Sequence, residues 1–250
     1  MNNRAIVGDG TAETEWLGWL TRQDVPSISV KALCAGSSRL VVVAPHPDDE
    51  VLACGGLLAQ CAQLHFPVMV VAVTDGEASH GMTDRCTRSK LGQQRVHEQC
   101  EGLMQLGIDP ICVVRLKIPD GGVALHVTQI FNWLTLLLQP GDVVITTWCL
   151  DGHPDHEATA QAVMRTGCKL FQAPVWMWHW AQPDDMRIPW SDLVAVDLDS
   201  TAVDAKRKAL ARHHSQLGRR SSESAPVLAA AIVQRAARRQ EYFFVHHAGR

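Results

Sequence analysis

The stretch "VVVAPHPDDEVLACGG" (residues 41–56) decides the fold. Its three consecutive valines suit an extended strand, because branching at Cβ restricts the side chain and packs well on a pleated surface. The run is apolar at successive positions, so both faces of the strand are buried, as in parallel sheets covered by helices on each side. It then opens into His46, Pro47 and three consecutive acids, Asp48, Asp49 and Glu50, before an apolar stretch that reads as a helix over residues 50–65. Charge crowding at the end of a buried strand is costly, and the place where such a sheet tolerates it is its ligand crevice.

The alternation continues outward from that stretch. Apolar or aromatic runs at 40–45, 68–74, 111–117, 143–148 and 174–180 read as strands, and 87–106, 126–138 and 156–168 as the helices between them. This βαβ order predicts an α/β fold: a Rossmann-like three-layer sandwich with a mostly parallel twisted sheet. A short helix over 11–22, an edge strand at 192–198 and helices over 201–217 and 224–239 complete the reading. With no repeat and no linker, residues 1–250 form a single domain, its core at about 38–245 behind an N-terminal helical extension.

With 46% hydrophobic and 20% charged residues the chain can bury a large core, and a net charge of −3 argues against nucleic acid as a partner. No stretch has the length and apolarity of a membrane span or a signal-peptide core. The eight cysteines are scattered, with no C-x-x-C pair, which reads as reduced thiols in a cytoplasmic protein.

A second cluster, "DGHPDHE" (residues 151–157), follows the fourth strand. In a doubly wound sheet the first and fourth strands are commonly neighbours across the switch point, so the two clusters face each other. Imidazole and carboxylate suit Zn²⁺ and similar ions, and a catalytic site takes three protein ligands. Two histidines and one carboxylate drawn from His46, Asp48, Asp49, His153 and His156 meet that count and leave two groups for proton transfer. Pro154 is placed to begin the helix that carries His156. Glu50 and Glu157 read as first-turn acids favoured by the helix dipole, and Arg95 either as a helix ion pair with Glu98 or as a group supporting the site or substrate.

"PHPDDE" after a buried strand, with "HPDHE" further on, resembles the PIG-L/LmbE-like family of zinc-dependent N-acetylglucosamine deacetylases. "VTDGEAS" (73–79), "RVHEQCEGLMQLGI" (95–108), "KRKALARHHSQL" (206–217) and "RRQEYF" (238–243) extend the resemblance in the expected order over about residues 40–244. It implies that His46, Asp49 and His156 bind Zn²⁺, or Fe²⁺, which the same ligands accept. It implies Asp48 as general base, and His153, protonated, as the group that stabilises the oxyanion and gives a proton to the leaving amine. The implied substrate is a small-molecule N-acylated amino sugar or glycoconjugate.

Other groups are candidates at lower rank. Asp155 reads as a carboxylate orienting a histidine; Asp75 and Glu77 as loop polarity or substrate contacts; His214 as part of the segment resembling the family's C-terminal helix. Trp148 and Trp190, and the alternating Trp176, Trp178 and Trp180, read as core or as stacking platforms for a sugar. Asp151 stands where some family members carry a tyrosine that assists at the oxyanion, and the only tyrosine here is Tyr242. Residues 78–90 resemble the family's variable substrate loop. Two alternatives remain: a metal hydrolase of a phosphoester, ester or non-sugar amide, and a non-catalytic nucleotide-binding module. The latter lacks its glycine turn, since the first strand runs into "PHPDDE" and not G-x-G-x-x-G.

Overall fold

The computed structural model describes residues 4–81, 84–218 and 225–246. The chain opens with helix α1 (Glu13–Leu20) and a single turn α2 (Val30–Leu33). Strand and helix then alternate: β1 (Arg39–Ala44), α3 (Asp49–Gln63), β2 (Val68–Ala72), α4 (Arg85–Gln105), β3 (Val113–Arg115), α5 (Val127–Leu137), β4 (Asp142–Thr147), α6 (Pro154–Met164) and β5 (Lys169–Ala173). The remainder comprises α7 (Met177–Trp180), β6 (Leu193–Asp197), α8 (Ser200–Leu210), α9 (His214–Leu217), α10 (Ala230–Ala236) and β7 (Gln240–Val245). Among the described residues no helix is long and apolar enough to cross a membrane.

The seven strands of the described residues join one sheet in the order β3-β2-β1-β4-β5-β7-β6. The first five run parallel, and β7 pairs antiparallel with both β5 and β6. This is the mostly parallel α/β sandwich expected from the sequence, with the late strand β6 at one edge as read. At the centre Val42 lies opposite Val70 on β2 and Ile145 on β4. Successive β1 side chains enter opposite layers: Leu40 and Val42 pack with Leu57, Leu103 and Phe243, while Val41 and Val43 pack with Ile130, Leu134 and Val163. That two-sided burial is why the strand is apolar without alternation. Beyond β1 the chain order runs outward one way through β2 and β3, and beyond β4 the other way, so the switch point lies between their carboxyl ends.

Three readings need correction. The aromatic run at 174–180 is not a strand: β5 ends at Ala173, and the run is a turn followed by α7. The cause lies in Asp151, whose carboxylate accepts the backbone N–H groups of Val175, Trp176 and Met177 and folds the chain around itself. Trp176, Trp178 and Trp180 therefore share no strand face. The helix read over 201–217 breaks between α8 and α9, where Ser215 turns aside to give both its N–H and its hydroxyl to Glu98 of α4. The reading of 224–239 shrinks to α10, and residue 224 lies outside the described residues, as do Met82 and Thr83 of the loop at 78–90 and His247.

β7 was seen only as a motif, yet it ties the fold to the site. Helix α3 is kinked at Cys54 (φ −148°, ψ 27°), which frees backbone donors within a buried helix. Glu241 of β7 accepts them: Oε1 from Gly56 at 2.7 Å and Oε2 from Leu57 at 2.8 Å. Lys206 of α8 neutralises this carboxylate at 2.7 Å and donates to the Leu52 carbonyl at 3.1 Å. Removing one partner of such a buried pair leaves a bare charge. Glu241→Ala is expected to lower the unfolding free energy by about 3–5 kcal/mol, read by urea denaturation.

Candidate metal centre

The turn after β1 sets three side chains by backbone geometry. Asp49 begins α3 and reaches back, so that its Oδ2 accepts the His46 N–H at 3.0 Å. The residue between, Asp48, stands at the helix N-cap with φ 129°, a region that L-residues avoid, and its carboxylate caps no backbone group. It is held instead by Arg95 of α4. That buried guanidinium donates Nη2 to the Pro47 carbonyl at 2.8 Å and to Asp48 Oδ2 at 3.2 Å, and Nη1 to the Gly76 carbonyl at 2.8 Å. Gly76, at φ +68°, has no alternative: a Cβ there would come within 2.1 Å of Arg95 Nη1. The expected Arg95–Glu98 ion pair does not form, since Glu98 serves Ser215.

The loop after β4 completes the arrangement. Pro154 is the first residue of α6, as read, and His153 is its N-cap. His156, one turn in, brings Nε2 to 3.1 Å from Asp49 Oδ2, and His46 Nδ1 approaches the same oxygen at 3.0 Å. One carboxylate oxygen thus lies between two imidazoles, and His46, Asp49 and His156 form a group able to hold a metal ion.

The donor chemistry fits a cation. Each ring has its second nitrogen on a carboxylate: His156 Nδ1 is 2.8 Å from Asp151, and His46 Nε2 is 3.3 Å from both Asp155 and Asp120. An imidazole whose N–H is taken by a carboxylate presents a basic lone pair on its other side, the usual state of a metal ligand. The surroundings also attract positive charge. Burial works against protonating His156, but Asp49 and Asp151 outweigh it and lift the ring to about 9; His46 is raised well above its ordinary value by Asp120, Asp155 and Asp49 against the same burial.

Asp48 and His153 differ from the ligands. Burial lifts the Asp48 carboxyl to about 7 against the pull of Arg95, poising it near neutrality. His153 is pushed the other way, to about 3, by burial and by the neighbouring His156 and His46. Its Nδ1 accepts the Asp155 N–H at 3.2 Å, which leaves the ring proton on Nε2. With both neighbouring imidazoles charged, His153 is a neutral ring whose proton sits on Nε2.

These groups line a cavity of about 320 Å³ walled also by Leu52, Ser79, Trp176, Gln216 and Leu228. Asp155 faces His46, as an orienting carboxylate should, and is anchored by the Gly121 and Val123 N–H groups. Asp151 lies wholly buried beneath His156. Asp75 pairs with Arg115 outside the cavity, and Glu77 accepts the Asp120 N–H at 3.0 Å, so it supports a wall residue and is not one. Trp148 is a core residue stacked on Phe244, Trp190 packs on Trp16 and Trp19, and only Trp176 of the aromatic run reaches the cavity. His214 is exposed while its neighbour His213 is buried, and Tyr242 is spent on Gln240. Glu50 does stand in the first helical turn, but fully buried, where burial raises its carboxyl to about 8. Sequence reasoning missed Asp120 and Gln216. The signal for Asp120 was an acid beside two glycines after the third strand, "PDGG".

A mostly parallel α/β sheet with a His/Asp centre at its switch point defines the class: an α/β protein with a centre able to hold a metal ion. Residues 41–166 match the family described as PIG-L: GlcNAc-PI de-N-acetylase, and the chain belongs to it. It is 32% identical over 170 residues to 1D-myo-inositol 2-acetamido-2-deoxy-alpha-D-glucopyranoside deacetylase of Corynebacterium diphtheriae, covering 56% of this chain and 55% of that one. A probable N-acetyl-alpha-D-glucosaminyl L-malate deacetylase 2 of Bacillus subtilis is 28% identical over 131 residues, 50% of this chain and 59% of its own. The chain thus spans just over half the length of these curated relatives. In fold it resembles N,N'-diacetylchitobiose deacetylase from Pyrococcus horikoshii, with a TM-score of 0.58 at 20% identity, over 85% of this chain and 82% of that one.

Above pH 7 the folded chain keeps protons that the unfolded chain has released, on His156 up to about 9 and Glu50 up to about 8. Stability therefore falls as pH rises through this window. In chelator-treated protein the unfolding temperature is expected to drop between pH 7 and 9, and added Zn²⁺ to reduce that drop by replacing the histidine protons. Calorimetry with and without metal checks both, and a flat profile without metal would contradict the assignment.

Proposed function

We propose that the protein is a metal-dependent hydrolase that removes the N-acetyl group from a small amino sugar or its conjugate. The observation that carries this reading is one Asp49 oxygen 3.0 and 3.1 Å from two carboxylate-backed imidazoles, beside an Asp48 carboxylate held by Arg95. Family membership supports the N-acyl sugar class. His46, Asp49 and His156 are assigned as ligands of Zn²⁺, with Fe²⁺ the alternative by donor type. Bound there, the cation would polarise the acyl group and lower the pKa of a water.

The chain's own groups carry the rest. Asp48 takes a proton from the attacking water, its carboxylate fixed by Arg95. His153, neutral, aims Nε2–H at the oxygen that gains charge as the acyl carbon becomes tetrahedral. The proton for the departing amine is the one Asp48 has accepted. Asp151, Asp155 and Asp120 hold the ligand rings in place. A cavity of about 320 Å³ is at the low end for small-molecule sites and suits a group of sugar size. Ser79, Gln216 and Asp120 offer polar contacts on its wall, and Trp176 an aromatic one. The eight unpaired cysteines support a reducing, cytoplasmic location.

Acetate release from a panel of N-acetylated sugars, with Zn²⁺- and Fe²⁺-loaded protein, tests the substrate class; turnover of none would end the sugar assignment while leaving the metal centre standing. Asp48→Asn is expected to lower kcat by about 10²–10⁴-fold with metal still bound. His153→Ala is expected to lower it by about 10²–10³-fold. Near-full rates in both variants would refute these roles.

A further inference from the structure

The third acid of the cluster, Glu50, has no part in the chemistry above. It is fully buried and lies in the first turn of α3. Its Oε2 accepts the backbone N–H of Asp48 at 3.3 Å and the side-chain amide of Gln99 at 3.1 Å, while Oε1 has no partner among the described residues. A buried carboxyl without a cation beside it is costly, so the contact with Asp48 is what the position retains in return.

That contact falls on the most strained residue of the turn. Asp48 holds φ 129°, ψ −26°, and such a conformation persists only where the surroundings over-determine it. Two holds act on it from α4. Arg95 grips the Pro47 carbonyl and the Asp48 side chain, and Gln99, one turn further along the same face, fixes Glu50 on the Asp48 N–H. One hold fixes the carboxylate and the other fixes the peptide that aims it.

We infer that Glu50, buttressed by Gln99, is a positioning residue that keeps the Asp48 backbone in its strained conformation and so points the carboxylate into the cavity. The inference rests on Asp48 being the base, and it requires an acceptor at position 50 rather than a charge. Gln supplies that acceptor, whereas Leu leaves the Asp48 N–H unpaired.

The test compares Glu50→Gln, Glu50→Leu and Gln99→Leu by acetate-release kinetics, bound zinc, and amide exchange of Asp48 in the zinc-loaded protein. Glu50→Gln is expected to keep kcat within about threefold, while Glu50→Leu loses about 100-fold with KM within about twofold and zinc still bound one to one. Asp48 amide exchange is expected to quicken at least about tenfold in Glu50→Leu, and measurably in Gln99→Leu, which serves if Glu50→Leu does not fold. Unchanged exchange in the Leu variants, or a Glu50→Gln protein as slow as Glu50→Leu, would overturn the inference. A wild-type protein that releases no acetate would remove the proposed reaction instead, and the exchange comparison would still decide whether Glu50 holds Asp48.

Discussion

The parallel pairing of β1 with β4 is the constraint on which the site depends. Neither cluster is complete alone: the turn after β1 supplies His46, Asp48 and Asp49, and the loop after β4 supplies Asp151, His153 and His156. The register that sets Val42 opposite Ile145 delivers both to one end of the sheet and brings His156 to 3.1 Å from Asp49. A shift of the strands by one residue would turn their side chains to the wrong layers and part the two loops.

Charge is the second constraint. Four carboxylates, Asp49, Asp120, Asp151 and Asp155, touch two imidazoles in a buried space. Such a concentration is tolerable only where positive charge is supplied, by protons on the rings or by a cation among them. Asp48 and His153 sit at the margin of this field and respond in opposite senses, one held near neutrality and the other kept unprotonated. Pairs of titratable groups whose environments drive them apart are what acid–base chemistry near neutral pH requires.

Much of this was legible in the chain. Two-sided apolar runs announce a parallel sheet, and two His/Asp clusters after its first and fourth strands announce where ligands meet. What escaped depended on contacts between distant segments. The aromatic run at 174–180 has strand composition, and only the Asp151 carboxylate, reaching across from β4, turns it into a helix. Asp151 itself looked like a departure from a family pattern, whereas it braces His156 and three backbone amides at once. Asp120 carried little local signal because its role comes from standing 3.3 Å from a histidine two strands away.

The placement of β7 bears on how the molecule is made. This last strand inserts between β5 and β6, and its Glu241 secures the helix that begins at Asp49. A nascent chain emerging from the ribosome can pair β1 with β2 early, but β7 joins the sheet and reaches α3 only once residues 240–245 are free. Loss of β7 would thus be felt almost two hundred residues upstream, in the helix that carries Asp49 and Glu50 and takes its Glu241 hold at Gly56 and Leu57.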